Sequence, residues 1–201
     1  MYNRSMPQRR GMLVLLPVMV TLTLTAALVA GGTARADERV WSLLKAGRQV
    51  VLIRHTTTTP GVGDPPGMRM DDCSTQRNLS EQGRRDARRI GDTFRARGIP
   101  VGLVLSSPWC RCLETGRLAF GSAEPWEPLG NLFGRPERRE EQMRQMRPVV
   151  GEAPAAGNLV LVSHGSTISA LTGVMPGPGE IVVVTPQGTS RFVVAGRLTV
   201  H

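Results

Sequence analysis

The stretch VVLIRHTTTTP, residues 50–60, decides the fold prediction for this chain of 201 residues. Its β-branched apolar run at 50–53 predicts a buried strand, which ends directly at Arg54 and His55. Open α/β sheets build their sites where strands end. Arginine is a rigid cationic donor and histidine a titratable nucleophile, so the pair suits a phosphoryl group. The pair alone is equally compatible with a histidine that caps the next helix or bonds to the backbone.

Two later predicted strands are also followed by a histidine or an arginine. The run NLVLVSHGST at 158–167 is apolar up to a serine and then reaches His164. The run VGLVLSSP at 101–108 leads into WCRCLETGRLAF, a helix opening with Arg111 near its first turn. Since sites form at strand ends, we expect His164 and Arg111 to join the pair at 54–55 along one edge of the sheet.

The remaining patterns define the fold class. Apolar periodicity predicts helices over 40–46, 79–97 and 137–150. The final segments EIVVVTP and SRFVVAGRLTV surround the turn sequence Pro-Gln-Gly and predict an antiparallel hairpin. Strands alternating with helices before this hairpin predict an α/β three-layer sandwich, in which helices cover both faces of a mostly parallel sheet.

The order of these motifs resembles the histidine phosphatase superfamily. Arg-His follows the first strand, SSPWCRCLET a middle strand and SHG a late strand. A fourth match is QRNLSEQGRRDARRIG at 76–91, since the first helix of the family often opens with Leu-Ser/Thr-x-x-Gly. The resemblance runs from residue 50 to the C-terminus. It implies a phosphoglycerate mutase-like fold and a phosphatase that works through a phosphohistidine.

The same resemblance implies the phosphate site. Its residues are Arg54, Arg77, Arg111, His164 and the nucleophile His55. Arg77 is included in this phosphate site because short phosphohistidine phosphatases carry an arginine just before the Leu-Ser pattern. Thr56 stands where most members have glycine, and its hydroxyl can still donate to a phosphate oxygen. No cofactor is implied, and no metal, since arginines supply the positive charge and no Cys-x-x-Cys or paired-histidine spacing occurs.

The proton donor is the least defined residue of the predicted site. Mutase-like members have a glutamate after the middle arginine, and acid phosphatases have an aspartate after the late histidine, where this chain has Gly165. Glu127 and Glu180 are the candidates, the second because a Pro-Gly pair places it at a strand start. The alternative for both is an ordinary exposed carboxylate.

The N-terminus has the order of a secretory signal peptide. Arginines precede an apolar run at 12–30, which leads to Ala-Arg-Ala at 34–36. We expect a signal peptide over 1–36, cleavage after Ala36, and a periplasmic or secreted domain over 37–201 with no stable membrane insertion. The competing interpretation is an uncleaved membrane anchor.

Export would place the three cysteines in an oxidising compartment, where thiols tend to pair. A bridge from Cys73 to Cys110 would tie two arginine-bearing loops together. Cys112 can replace Cys110 in that pair, whereas Cys110 and Cys112 diverge within a regular helix.

Composition limits the partners. The chain has 25 Lys and Arg against 16 Asp and Glu, but its basic segments are mixed with acidic residues and aromatic residues are few, so nucleic-acid binding is not indicated. We expect a metal-independent phosphomonoesterase for a phosphorylated small molecule, sugar or envelope glycolipid, as in enzymes resembling lipopolysaccharide heptose-phosphate phosphatases. The alternatives are a phosphosugar mutase and a catalytically silent phosphate-binding module.

Overall fold

The structure is a computed structural model that describes Met1 and residues 37–200. The predicted signal segment therefore lies outside the described residues, apart from Met1. Within the described part of the chain, no helix is both long and apolar enough to cross a membrane.

A six-stranded sheet forms the centre of residues 37–200, in the order β3-β2-β4-β1-β5-β6. The strands are β1 (Val50–Arg54), β2 (Val101–Ser106), β3 (Glu124–Pro125), β4 (Asn158–Ser163), β5 (Ile181–Pro186) and β6 (Phe192–Leu198). The first four pair in parallel, whereas β5 is antiparallel to both β1 and β6. The predicted mostly parallel sheet with a C-terminal antiparallel hairpin is confirmed.

Five α-helices of residues 37–200 accompany the sheet. They are α1 (residues 37–46), α2 (Glu81–Ala96), α3 (Cys110–Phe120), α4 (Arg139–Gly151) and α5 (Gly165–Thr172). The helix predicted over 137–150 differs at its start, because Pro136–Arg138 forms a separate 3-10 turn before α4. Helix α2, predicted over 79–97, begins at Glu81, because Ser80 is its N-cap: the Ser80 hydroxyl accepts a hydrogen bond from the Gly83 N–H at 3.1 Å.

Helices cover both faces of the sheet, as the three-layer prediction requires. Alternate residues of β1 point to opposite sides, so Val51 and Ile53 pack in one apolar core and Val50 and Leu52 in the other. The first core includes side chains from α1, α2 and α3, and the second includes side chains from α4 and α5. These four apolar side chains of β1 are fully buried, so β1 is a rigid support for the residues that follow it.

Glycine lets α2 approach the loop after β1. A Cβ at Gly83 would lie 1.9 Å from the Thr57 carbonyl oxygen, a distance that no side chain tolerates. The same oxygen accepts a hydrogen bond from the Ser80 N–H at 3.0 Å. The Leu-Ser-x-x-Gly pattern therefore fixes the start of α2 against the segment that carries the predicted nucleophile.

Candidate active site

His55 directly follows β1 and presents one unprotonated ring nitrogen. Its backbone N–H donates to the Ser163 carbonyl at 2.9 Å, which ties the end of β1 to the end of β4. Its ring Nδ1 lies 2.9 Å from the Thr56 carbonyl oxygen. A carbonyl can only accept, so Nδ1 carries the proton and Nε2 keeps its lone pair. Nε2 is therefore the nitrogen available for nucleophilic attack.

The surroundings keep this imidazole neutral. Burial, aided by the charges of Arg111, Arg54 and Arg77 and opposed by the hydrogen bond to the Thr56 carbonyl, lowers the pKa of His55 to about 3. A nucleophile with this pKa holds its lone pair throughout the physiological pH range.

His164 stands at the end of β4 and caps α5. Its Nε2 lies 2.9 Å from the Ser107 hydroxyl, which itself accepts the Trp109 N–H at 3.4 Å. The Ser107 hydroxyl can donate its proton to Nε2, and in that arrangement Nδ1 of His164 carries the ring proton. Burial, the His55 ring and the nearby arginines lower the pKa of His164 well below its ordinary value. The two imidazole rings lie 5.4 Å apart, edge to face.

Three arginines complete a cavity of about 320 Å³ that both histidines line. Arg54 Nη1 donates to the Pro176 carbonyl at 2.9 Å, and Arg77 Nη1 donates to the Gly61 carbonyl at 2.6 Å. Arg111 is held through both of its Nη atoms. The Nε atom of each of the three is buried and has no hydrogen-bond partner among the described residues. The three guanidinium groups therefore bring three positive charges and their remaining N–H donors to the lining of this cavity.

Asp64 holds Arg111 in place. Its carboxylate accepts Nη1 and Nη2 of Arg111 at 2.6 and 3.2 Å, the Trp109 indole N–H at 3.1 Å and the Arg77 backbone N–H at 3.1 Å. Burial acts to raise the pKa of Asp64, but the hydrogen bond and charge of Arg111 and the other two donors outweigh it and lower that pKa. Asp64 is therefore an ionised positioning residue.

Sequence reasoning missed Asp64. It lies in the Gly/Pro-rich segment between β1 and α2, and nothing in its immediate sequence separates it from Asp71 and Asp72 further along, which contact nearby surface groups. Only its three-dimensional position beside Arg111 distinguishes it.

The structure places three predicted site residues outside the cavity. Thr56 is fully buried, and its hydroxyl faces that of Thr115 on α3 at 3.3 Å, so the expectation that it binds substrate is wrong. Glu180 pairs with Arg197 at 2.5 Å and accepts the Gly177 N–H at 2.7 Å, which lowers its pKa. Glu127 is exposed at the start of the 3-10 turn Glu127–Leu129, away from the cavity. No carboxylate of the described residues lines the cavity.

The cysteine pair lies beside the arginines. The structure joins Cys73 to Cys110, with Cα atoms 5.7 Å apart. The Gln76 side-chain carbonyl also accepts the Cys110 N–H at 3.0 Å. Both contacts connect the segment before Arg77 to the start of α3. Cys112 is a buried free thiol, and burial raises its pKa to about 12.

Comparison with known proteins places the fold. Neither a protein-family model nor a curated protein matches the sequence. Solved structures do: the protein histidine phosphatase SixA complexed with tungstate superposes with a TM-score of 0.53 and 18% identity, covering 75% of this chain and 96% of that one. A phosphoserine phosphatase from Entamoeba histolytica, in complex with 3-phosphoglyceric acid, gives a TM-score of 0.55 at 14% identity over 75% and 96%.

A third solved structure is a putative alpha-ribazole-5'-P phosphatase from Escherichia coli, with a TM-score of 0.52 and 16% identity over 74% of this chain and 94% of that one. All three neighbours are phosphatases with the histidine phosphatase fold. The chain shares that phosphoglycerate mutase-like fold, as its motifs predicted. At these identities the likeness establishes the fold, so the chemistry is argued from the site itself.

Proposed function

We propose that the chain is a phosphatase that hydrolyses phosphomonoesters through a phosphohistidine on His55. The observation that carries this proposal is the neutral Nε2 nucleophile of His55 in a cavity that three arginine side chains line. A phosphomonoester dianion repels nucleophiles through its own oxygens, so a catalyst must first neutralise them. Rigid guanidinium groups suit this task because they bind phosphate oxygens in a fixed geometry.

In the first step, Arg54, Arg77 and Arg111 bind the phosphate oxygens together with Nδ1–H of His164. The His55 Nε2 lone pair forms a bond to phosphorus, and the bond from phosphorus to the ester oxygen breaks with its electrons going to that oxygen, which takes a proton from solvent water to leave as the alcohol. Positive charge then develops on the His55 ring. The Thr56 carbonyl, which accepts the Nδ1–H, stabilises it.

In the second step, water attacks phosphorus from the side that the leaving alcohol has vacated. The phosphorus–nitrogen bond breaks, His55 recovers its Nε2 lone pair, and inorganic phosphate leaves. The arginine donors contact the same oxygens throughout. Since they neutralise the phosphate charge, we propose that turnover needs no divalent metal.

The structure also bears on the silent-module alternative. One reason to consider it is the replacement of the usual glycine by Thr56, but Thr56 packs against Thr115 and leaves the cavity unobstructed. A phosphatase and a catalytically silent binding module would give different results in an assay, because only the phosphatase releases phosphate. A mutase would instead move the phosphoryl group to another hydroxyl of the same sugar.

The assay is hydrolysis of p-nitrophenyl phosphate by the mature protein in EDTA. We expect release of phosphate that falls by about 100-fold or more in Arg111→Ala, because that change removes a charge-assisted donor. Arg84→Ala is the matched control, since Arg84 pairs with Glu81 and Glu114 on the helix surface. If the protein binds phosphate but does not hydrolyse the ester, the proposal is wrong and the protein is a catalytically silent phosphate-binding module.

We further propose that the domain is exported and acts on a small or envelope-linked substrate. The signal-like N-terminus and a disulfide between Cys73 and Cys110 support an oxidising compartment. N-terminal sequencing of protein from the periplasmic or extracellular fraction should begin at Asp37. Recovery of the intact chain in membranes would support the anchor instead.

A further inference from the structure

The mouth of the arginine cavity is apolar. Among large apolar side chains of residues 37–200, the three most exposed are Val62 at 87%, Phe133 at 61% and Met175 at 58%, and all three line this cavity. The next most exposed is Val193 on the edge strand β6, at 52%. Exposed apolar side chains gathered at one site are typical of ligand-binding surfaces. We call Val62, Phe133 and Met175 the apolar rim.

Each rim residue belongs to a different loop, and each loop is anchored to the phosphate site. Met175 precedes Pro176, whose carbonyl accepts Arg54 Nη1 at 2.9 Å. The Met175 sulfur also packs over the start of α5, where a Cβ on Gly165 would lie 3.0 Å from it. The Met175 thioether is therefore held beside Gly165, and both residues line the cavity.

The Val62 loop is anchored through the neighbouring Gly61. Its carbonyl accepts Arg77 Nη1 at 2.6 Å. The position of Val62 therefore depends on the same guanidinium that is predicted to bind phosphate.

The Phe133 loop is anchored through Asn131. The Asn131 side-chain oxygen accepts the Phe133 N–H at 3.0 Å and the Ser166 hydroxyl at 2.9 Å, at the start of α5. This contact ties the Phe133 backbone to the start of α5, and Phe133 lines the same cavity as His164. It also engages the Asn131 oxygen and the Ser166 hydroxyl proton, two of the polar groups that line the cavity.

From this arrangement we infer that the site selects phosphomonoesters whose leaving group is apolar next to the phosphate, in preference to polyhydroxylated sugar phosphates. The inference rests on the proposed function, because it places the phosphate among the three arginines. An alkyl or aryl group bonded to that phosphate would extend from the cavity between the three rim side chains. Each methylene buried there should raise kcat/KM by about fourfold until the rim is covered.

A series of alkyl phosphates measures this contact without changing the leaving-group chemistry. From ethyl to hexyl phosphate the alcohol pKa is nearly constant, so a rise in kcat/KM reports contact with the rim. Propyl phosphate and glycerol 1-phosphate form a matched pair of three-carbon esters. We expect propyl phosphate to be preferred by about tenfold, although the hydroxyls of glycerol make it the better leaving group.

Variants locate the effect on the rim. Phe133→Ser and Met175→Ser should each reduce the increase in kcat/KM from ethyl to hexyl phosphate. Val193→Ser is the matched control, because it removes an equally exposed apolar side chain from β6, away from the cavity. If kcat/KM rises from ethyl to hexyl phosphate as steeply in Phe133→Ser and Met175→Ser as in the wild type, the inference is overturned.

Binding of alkylphosphonates, followed by calorimetry, separates this inference from the proposed function. These compounds occupy a phosphate site without being hydrolysed. Affinity that rises with chain length supports the apolar rim even if the protein turns over no ester, an outcome that would refute only the phosphatase. Equal affinity for ethyl- and hexylphosphonate, or equal kcat/KM for propyl and glycerol phosphates, would overturn the inference and leave the phosphatase intact.

Discussion

Asp64 and Arg111 form a two-pronged ion pair, with oxygen-to-nitrogen distances of 2.6 and 3.2 Å, beside the cavity that holds His55. The Arg111 side chain is only 1% exposed, so its charge is compensated almost entirely by this contact. Asp64 accepts one N–H from each Nη atom and the Arg77 carbonyl accepts the second N–H of Nη1 at 3.3 Å, so Nε–H and one Nη2–H of Arg111 have no acceptor among the described residues. Three arginines and one carboxylate leave two net positive charges, which match a phosphomonoester dianion.

Replacing Asp64 by asparagine should destabilise the fold and strengthen its response to phosphate. The change leaves the buried Arg111 charge unpaired, at an expected cost of about 3 kcal/mol in the free energy of unfolding. Inorganic phosphate can then replace the lost anion. Thermal unfolding with and without phosphate measures both effects, and the stabilisation by phosphate should be larger in Asp64→Asn than in the wild type.

Asp71→Asn is the control for that experiment, since Asp71 pairs with Arg69 on the surface and should change stability little. An Asp64→Asn protein as stable as this control would show that the ion pair does not position Arg111.

The two site histidines should make the protein less stable in mild acid. Burial and nearby arginines lower both pKa values in the folded protein, that of His55 to about 3, whereas in the unfolded chain both lie near 6.5. Between those limits the unfolded chain binds more protons. The free energy of unfolding therefore falls as pH drops below about 6.5, by about 1.4 kcal/mol per pH unit for each histidine.

Urea unfolding at pH 7 and pH 5 measures this loss. The free energy of unfolding should fall less between these two pH values in His55→Asn than in the wild type. Titration followed by NMR supplies the direct check. A His55 ring that becomes protonated with a midpoint near 6.5 would contradict the neutral nucleophile.

The Cys73–Cys110 bridge should support both stability and catalysis. It closes a loop with a sequence separation of 37, so reduction should cost about 3 to 4 kcal/mol in the chain-entropy picture. It also connects the segment before Arg77 to α3, and a loosened Arg77 should lower kcat/KM. Thiol counting, denaturant unfolding and an assay with and without reductant make the test. Full activity after complete reduction would confine the bridge to stability.

The absence of a cavity-lining carboxylate among the described residues should appear in the leaving-group dependence. General acids contribute about 10² to 10⁴ in rate by protonating the departing oxygen. Without one, p-nitrophenyl phosphate should exceed phenyl phosphate in kcat/KM by about 100-fold. Equal rates would instead reveal a proton donor, and Glu127→Gln and Glu180→Gln would then test the two predicted candidates.

The sequence predicted the parts of the site that follow from regular structure. His55, Arg111 and His164 each follow a strand with a strong apolar pattern, and parallel strands end at one edge of a sheet. The order of motifs also placed Arg77 at the cavity, which it lines. These residues needed no knowledge of loop conformation.

Residues on irregular segments were not predictable in the same way. Asp64, Val62 and Phe133 lie in loops without periodicity, where glycines such as Gly63, at φ 71°, set the backbone path. Thr56 is the opposite case, a residue that the sequence placed in the site and the structure does not. It adjoins the nucleophile in sequence, but the chain turns it toward α3, so adjacency predicted a role that its side chain does not have.

The measurement that most directly tests the central claim is trapping of the phosphoenzyme. Protein mixed with a phosphomonoester labelled in its phosphate and quenched in base should carry label that is stable to base, labile to acid, and located by peptide mapping on His55. The His55→Ala variant should carry no such label and have no turnover. Label on another residue, or hydrolysis by His55→Ala, would contradict the mechanism.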